Sequence, residues 1–189
     1  MAPNLNETTP ATTSNATDAT NAADAVNGHA GQPGNDALCQ VMSLNIRKGL
    51  LSKKKQILNF MYSKEVGIAF LSEVETKQLT LESLVCDGYK TVTPKTESKY
   101  DKARIVALVA NSVPFNVRLD LMSPKVPTIW LEITRYNMKN ILVCGIYRQW
   151  KGDQLQQLNI VCDQIRRAST EGLPLLVCGD INLCSTIWS

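Results

Sequence analysis

The sequence predicts an α/β fold, and three observations carry that prediction. Residues 67–71 and 175–178 are short apolar runs, which are typical of buried strands. Residues 153–168 instead repeat apolar side chains at every third or fourth position, which indicates an amphipathic helix. A strand, a helix and a second strand follow one another over residues 39–71, as in a βαβ unit.

Further along the chain, other apolar runs predict a hairpin-rich centre. The full set of predicted strands is 39–46, 67–71, 104–111, 128–134, 140–147 and 175–178. Ser52 is predicted to cap a first helix that ends near Ser63 and buries Ile57, Leu58 and Met61. The apolar side chains of the second helix, 153–168, are Leu155, Leu158, Val161, Cys162 and Ile165.

Residues 1–38 are predicted to be a disordered, low-complexity leader that precedes a folded domain over residues 39–189. The leader contains no Lys, Arg, Phe, Trp or Tyr. It cannot bury enough apolar surface to offset the entropy lost on ordering. It has no basic segment followed by an apolar one, and no apolar run long enough to cross a membrane follows it. We therefore expect an intracellular protein, nuclear or cytoplasmic, that is not secreted and has no membrane partner.

Charge is distributed unevenly between these two parts. All 20 basic residues but only 13 of the 17 acidic residues lie in residues 39–189, so that part carries a formal charge of +7 against +3 for the whole chain. This sign suits a polyanionic partner such as nucleic acid. Candidate phosphate contacts are the clusters Arg47-Lys48, Lys53-Lys54-Lys55 and Arg166-Arg167. Each could also be an ordinary solvated face, and the last pair would suit the negative end of a helix dipole.

The histidine and cysteine content excludes several mechanisms. The single histidine, His29, lies in the leader, so residues 39–189 can assemble neither a Ser-His-Asp triad nor a Cys-His pair. The cysteines show no close-paired spacing, which argues against a zinc site and favours free thiols. They are Cys39, Cys86, Cys144, Cys162, Cys178 and Cys184. Carboxylate and metal chemistry remain.

Polar side chains follow several predicted strands at their ends. They are Asn45, Glu73, Tyr147, Asp180 and Asn182. If those strands share one edge, the side chains converge there. Asn and Glu oxygens suit a hard divalent cation such as Mg²⁺, while an Asp can deprotonate an attacking water. The set therefore indicates metal-assisted hydrolysis of a phosphate ester, although the last two residues could equally shape the turn after their strand.

Four segments in this order resemble the motifs of the endonuclease/exonuclease/phosphatase superfamily. They are Ser43-Leu44-Asn45, Phe70-Leu71-Ser72-Glu73, Gly145-Ile146-Tyr147-Arg148 and Gly179-Asp180-Ile181-Asn182. The stretch 146–150 and the Gln-rich helix before the last strand look most like the apurinic-type endonuclease domain of non-LTR retrotransposon polyproteins, which adjoins a reverse transcriptase. The resemblance implies a four-layer α/β/β/α sandwich and a metal-dependent DNA endonuclease.

The resemblance also implies a role for each site residue. Asn45 and Glu73 match the metal-site residues and would hold Mg²⁺ or Mn²⁺. Tyr147 matches the tyrosine near the scissile phosphate. Asp180 matches the aspartate that orients the attacking water, and Asn182 matches the asparagine that stabilises the transition state. Glu75 is an alternative metal ligand, because strand residues two apart share a face.

The sequence departs from the family pattern at two places that bear on substrate. Arg47 and Lys48 stand where many relatives carry an acidic residue, and 148–150 reads Arg-Gln-Trp where they carry Pro-Asn. We predict that Arg47, Lys48, Arg148 and Trp150 contact nucleic acid.

The second half of the superfamily fold, with its catalytic histidine, has no counterpart before Ser189, so we expect a C-terminally truncated domain. Two alternatives to a DNA endonuclease follow. One is an inactive remnant that at most binds nucleic acid, and the other is a phosphoesterase acting on a phosphoinositide or sphingolipid.

Overall fold

Two four-stranded sheets form the centre of the computed structural model, which describes residues 40–98, 101–149 and 154–182. The first sheet has the strand order β1-β2-β4-β3, and the second has the order β5-β6-β7-β8. The strands of the first sheet are β1 (Gln40–Asn45), β2 (Val66–Lys77), β3 (Tyr89–Val92) and β4 (Lys102–Ala110). Those of the second are β5 (Phe115–Val117), β6 (Thr128–Ile133), β7 (Ile141–Tyr147) and β8 (Leu175–Asp180). The helices are α1 (Leu50–Ser63), α2 (Gln78–Glu82) and α3 (Gln154–Ser169).

The alternation of side chains along β2 separates two cores. Ile68 and Phe70 join the core that also contains the second sheet and α3, whereas Ala69 and Leu71 join the core beneath α1. The ring of Phe70 lies so close to Gly145 on β7 that a Cβ there would stand 2.0 Å from it. The two sheets therefore pack face to face, with α1 outside one and α3 outside the other. This arrangement is the predicted four-layer α/β/β/α sandwich.

Most predicted elements are confirmed to within a few residues, and the apolar face of α1 is as expected, with Ile57, Leu58 and Met61 buried. The predicted cap is wrong. Gly49, in a left-handed conformation, precedes the helix, and no side chain caps it. The Ser52 hydroxyl instead donates to the Gly49 carbonyl at 2.9 Å.

Helix α3 buries only part of the face that its sequence suggests: Val161 is buried as expected, and Leu158 and Ile165 are half-buried. Its buried residues are Val161, Gln164 and Ala168, whereas Leu155 and Cys162 are exposed. The Trp130 indole N–H on β6 donates to Gln164 Oε1 at 3.0 Å, so a polar side chain points inward because a buried donor needs an acceptor.

The sequence also predicted free cysteines, a disordered leader and the absence of a membrane-spanning segment. Cys86, Cys144, Cys162 and Cys178 are free, as expected. The predicted leader, 1–38, and Trp150 lie outside the described residues. No helix in the described part of the chain is both long and apolar enough to cross a membrane.

Candidate active site

The ends of β1, β7 and β8 meet at one edge of the sandwich, which we call the rim. Asn45 ends β1, while Tyr147 and Asp180 lie side by side in register at the ends of β7 and β8. The Asn45 amide Nδ2 donates to Asp180 Oδ2 at 3.0 Å, across 135 residues of sequence. This bond joins the two sheets and brings together two of the residues that the sequence singled out.

Glycine is required where β8 approaches the rim. Gly179 has φ +133°, and a Cβ there would lie 2.0 Å from the carbonyl oxygen of Ile146 on β7. Only a residue without a side chain lets the two strands pair so closely. Gly179 therefore determines where the following Asp180 stands.

Backbone strain concentrates at the rim. Among the described residues, seven residues other than glycine have positive φ, and five of them lie here. They are Arg47, Lys48, Glu73, Glu75 and Asn182. Such conformations cost on the order of 1–3 kcal/mol each and collect at functional sites, because only a constrained surrounding maintains them. This clustering is independent of any motif and marks the rim as the candidate site.

Glu73 lies in an irregular part of β2, not beyond its end as the sequence suggested. The strand continues to Lys77, and its pairing with β4 is interrupted between Ser72 and Thr76. The Glu73 carbonyl accepts a hydrogen bond from Lys48 N at 2.8 Å, which ties this bulge to the β1–α1 loop. Within the described residues, its carboxylate has neither a hydrogen bond nor an ion pair, so it is available to a ligand.

Glu75, the alternative metal ligand, has a different partner. Its carboxylate forms an ion pair with Arg104 on β4. Arg104 was missed by the sequence reasoning, although a cation directly before the apolar run 105–110 was a usable signal. A second residue that was missed is Ser72, which is buried and whose hydroxyl has no hydrogen-bond partner among the described residues.

Tyr147 is nearly buried, with 7% of its surface exposed. Burial raises the pKa of its phenol, and the nearby charge of Glu73 raises this pKa further, while Arg104 acts in the opposite direction. The charge of Asp180 is a smaller cause that also raises it. The phenol therefore stays protonated at neutral pH and can donate a hydrogen bond to an anion.

Asp180, Ile181 and Asn182 form a turn, the 180–182 turn, that is bonded to Arg148. The Asn182 side-chain amide donates to the Arg148 carbonyl at 2.7 Å, and Arg148 N donates to the Asp180 carbonyl at 2.9 Å. The Arg148 side chain is 2% exposed. A buried guanidinium cannot reach a nucleic-acid phosphate, so its location does not support the predicted contact.

The basic clusters differ in how many of their charges remain free to meet a partner. Lys53 Nζ donates to the carbonyls of Ile46 and Lys48, and Lys54 Nζ donates to that of Val85. Arg166 pairs with Asp163, and Arg167 donates to the carbonyls of Asp120 and Leu121. By contrast, Arg47 and Lys48 are exposed beside Asn45.

Two open grooves flank the exposed pair Arg47 and Lys48. One, of about 390 Å³, is lined by Asn45, Arg47, Leu44 and Phe60 among others. The other, of about 420 Å³, is lined by Lys48, Lys102 and Glu75 together with the first turn of α1. The cations that line these grooves are Arg47 and Lys53 in the first and Lys48 and Lys102 in the second.

The donor set at the rim fits a hard divalent cation. The described residues contain no cluster of three His, Cys, Asp or Glu side chains. A cation would therefore be held by the Glu73 carboxylate, by the Asn45 Oδ1 that also accepts from Arg47 N at 3.0 Å, and by waters and substrate oxygens. One or two carboxylates completed by water and phosphate is the ligand set that Mg²⁺ prefers.

Comparisons with known proteins support the fold. No protein-family model matches the chain, and no curated protein matches its sequence. The endonuclease domain of TRAS1, a telomere-specific non-LTR retrotransposon, is similar with a TM-score of 0.58 at 17% identity, over 80% of this chain and 62% of that domain. TDP2 from D. rerio, complexed with a single-strand DNA product, gives 0.56 at 13% identity, over 78% and 62%. ANGEL2, a 2',3'-cyclic phosphatase, gives 0.54 at 17% identity, over 77% and 53%.

All three of these proteins belong to the endonuclease/exonuclease/phosphatase superfamily, and this chain has the fold of that superfamily, as its four motifs predicted. The chain spans about three fifths of the length of the TRAS1 domain. Identities this low establish the fold alone. The reaction must be argued from the rim.

Proposed function

We propose that this protein is a divalent metal-dependent phosphodiesterase that cleaves DNA. The observation that carries the proposal is the 3.0 Å hydrogen bond between Asn45 and Asp180, which brings a water-activating carboxylate beside the residues suited to a cation. The fold is one on which proteins similar to this chain carry out endonuclease and phosphatase reactions.

In the proposed reaction, the Asp180 carboxylate accepts a proton from the water that attacks phosphorus. The P–O bond to one sugar oxygen breaks as the new P–O bond forms, and the leaving oxygen takes a proton from solvent to become a hydroxyl. The Asn45 amide bonded to Oδ2 orients this carboxylate and leaves its second oxygen for the water. Asn182 has one amide hydrogen committed to Arg148 and a second that can donate to a phosphoryl oxygen. The protonated Tyr147 phenol is a second donor. A divalent cation on Glu73 and Asn45, when bound, would neutralise charge on the phosphate.

DNA is the proposed substrate because the accessible charge near the rim is positive. Arg47 and Lys48 are both exposed, and residues 39–189 carry a formal charge of +7. The similarity to the TRAS1 domain supports, as part of the same proposal, an origin in a retrotransposon. An intracellular location stays a prediction from the sequence.

The test is nicking of supercoiled plasmid by the full chain, with Mg²⁺ and with EDTA. We expect metal-dependent nicking that falls about 10²- to 10⁴-fold in Asp180→Asn and in Glu73→Gln, since each removes one charge or base from the site. Asp163→Asn, an exposed carboxylate on α3, is the matched control and should nick like the wild type.

Each other outcome points to a different function. A folded wild type that binds DNA but does not nick it would favour a nucleic-acid-binding protein without activity. Hydrolysis of a phosphoinositide or sphingomyelin without plasmid nicking would favour a lipid phosphoesterase. Equal activity of Asp180→Asn and wild type would refute the mechanism.

A further inference from the structure

Arg148 is the one charged residue with a buried side chain in the part of the chain that the structure describes. Moving a guanidinium out of water costs several kcal/mol unless its donors are satisfied. No carboxylate of the described residues forms an ion pair with it. An Arg buried in this way needs a structural explanation, and the hydrogen bonds of its side chain supply one.

The donors of Arg148 point at main-chain carbonyls, and two of them belong to the same turn. Nε donates to the Ile181 carbonyl at 2.6 Å, and Nη2 donates to that of Asn182. Nη1 donates to the Gln154 carbonyl, at the start of α3, at 3.4 Å. The planar fork of one guanidinium therefore binds successive carbonyls of the 180–182 turn and links them to α3.

The main chain of Arg148 completes the attachment. Its N–H donates to the Asp180 carbonyl and its carbonyl accepts from the Asn182 side chain. All three residues of the turn are thus bonded to Arg148. One of them, Asn182, has a left-handed conformation with φ +49° that requires support from its surroundings.

We propose that Arg148 is a positioning residue, whose buried guanidinium holds the 180–182 turn so that Asp180 and Asn182 keep their places at the rim. This inference rests on the proposed function, because Asp180 and Asn182 are the residues that would act on the phosphodiester. It assigns Arg148 a role through those two residues and not through contact with DNA.

Positioning and phosphate contact predict different measurements. Loss of a phosphate contact weakens DNA binding. It also makes the plot of log K for DNA binding against log salt concentration shallower, since the magnitude of its negative slope falls by about 0.9. Loss of a positioning group misplaces the reacting groups, which lowers kcat, on the order of 10²-fold for a displacement of about 1 Å, with little change in KM.

The experiment compares the wild type with Arg148→Met, which keeps an unbranched side chain about as long as the stem of Arg and removes every side-chain donor. Arg148→Lys serves if the Met variant does not fold, because it keeps the charge but not the planar fork. Arg167→Met is the matched control, since Arg167 also donates to two successive carbonyls, those of Asp120 and Leu121. Lys48→Ala is the reference for a lost phosphate contact.

For Arg148→Met we expect a fall of about 100-fold in kcat, a KM within about threefold of the wild type, and an unchanged salt slope. Amide exchange at position 148, whose N–H bonds to Asp180, should speed up about tenfold or more as the turn opens. Arg167→Met should leave kcat and this exchange rate unaltered.

If Arg148→Met instead reduced the magnitude of the slope of log K against log salt by about one and kept slow amide exchange at position 148, the proposal would be overturned and Arg148 would be a phosphate contact. Unchanged kcat would overturn it as well. If the wild type itself does not nick DNA, the proposed function fails, and the exchange rate at position 148 still decides whether Arg148 holds the turn.

Discussion

Replacing Gly179 by alanine tests whether the close approach of β8 to β7 builds the rim. The added Cβ would lie 2.0 Å from the carbonyl oxygen of Ile146 and 2.7 Å from its nitrogen, both well inside van der Waals contact. Those neighbours are main-chain atoms in a paired strand, so they cannot rotate away as a side chain would. Either β8 shifts outward or its pairing with β7 breaks.

Two costs contribute to the expected loss of stability. A non-glycine residue at φ +133° costs about 1–3 kcal/mol, and forcing an extra carbon into a packed region costs roughly another 1–3 kcal/mol. We expect the free energy of unfolding to fall by about 2–6 kcal/mol, a large part of the roughly 5–15 kcal/mol of an ordinary domain.

Gly172→Ala is the matched control, because Gly172 also has positive φ, at +67°, but nothing lies within 4 Å of the position of its Cβ. It should lose only the cost of a left-handed alanine, about 1–2 kcal/mol. Urea unfolding of the wild type and both variants measures the difference. A Gly179→Ala variant no less stable than Gly172→Ala would refute the steric argument.

Three further predictions concern titration and reactivity. Hydrogen bonding to Arg118 lowers the pKa of Glu171, so this carboxylate stabilises the folded state at any pH above its ordinary, unfolded-state pKa. This contribution, about 0.5–1 kcal/mol, is lost as pH falls through the lower folded pKa, and Glu171→Gln should abolish this part of the pH dependence of unfolding. Iodoacetamide should modify the exposed Cys162 in the native protein and Cys144 only after unfolding, because burial raises the pKa of the Cys144 thiol well above its usual range. Tyr147→Phe should lower the nicking rate about 10²-fold. Burial and the charge of Glu73 raise the pKa of the Tyr147 phenol, so ionisation of this phenol should not lower the wild-type nicking rate below about pH 10.

Each of these predictions has an outcome that would contradict it. A Glu171→Gln variant that keeps the wild-type pH dependence of unfolding would contradict the role given to Arg118. Peptide mapping by mass spectrometry resolves the thiols, and equal labelling of Cys144 and Cys162 in the folded chain would contradict the burial argument. A Tyr147→Phe variant with the wild-type rate would remove the phenol from the mechanism.

The sequence alone determined the elements that carry the site, because apolar periodicity reports which face of a segment is buried. The runs that became β2, β7 and β8 were visible in this way, and so were the polar residues beside their ends, of which Asn45 and Asp180 now prove to be in contact. Short elements such as α2, β3 and β5 were not predicted, since three to five residues carry too little periodicity to stand out.

Only the tertiary structure decided what the charged side chains do. Arg148 and Lys53 look like phosphate-binding residues in the sequence, yet their donors bond to main-chain carbonyls that come close only after folding. The interruption of β2 beside Glu73 likewise depends on pairing with β4. Local pattern reports burial, whereas the partner of a buried donor lies elsewhere in the chain and is chosen by the packing of the two sheets.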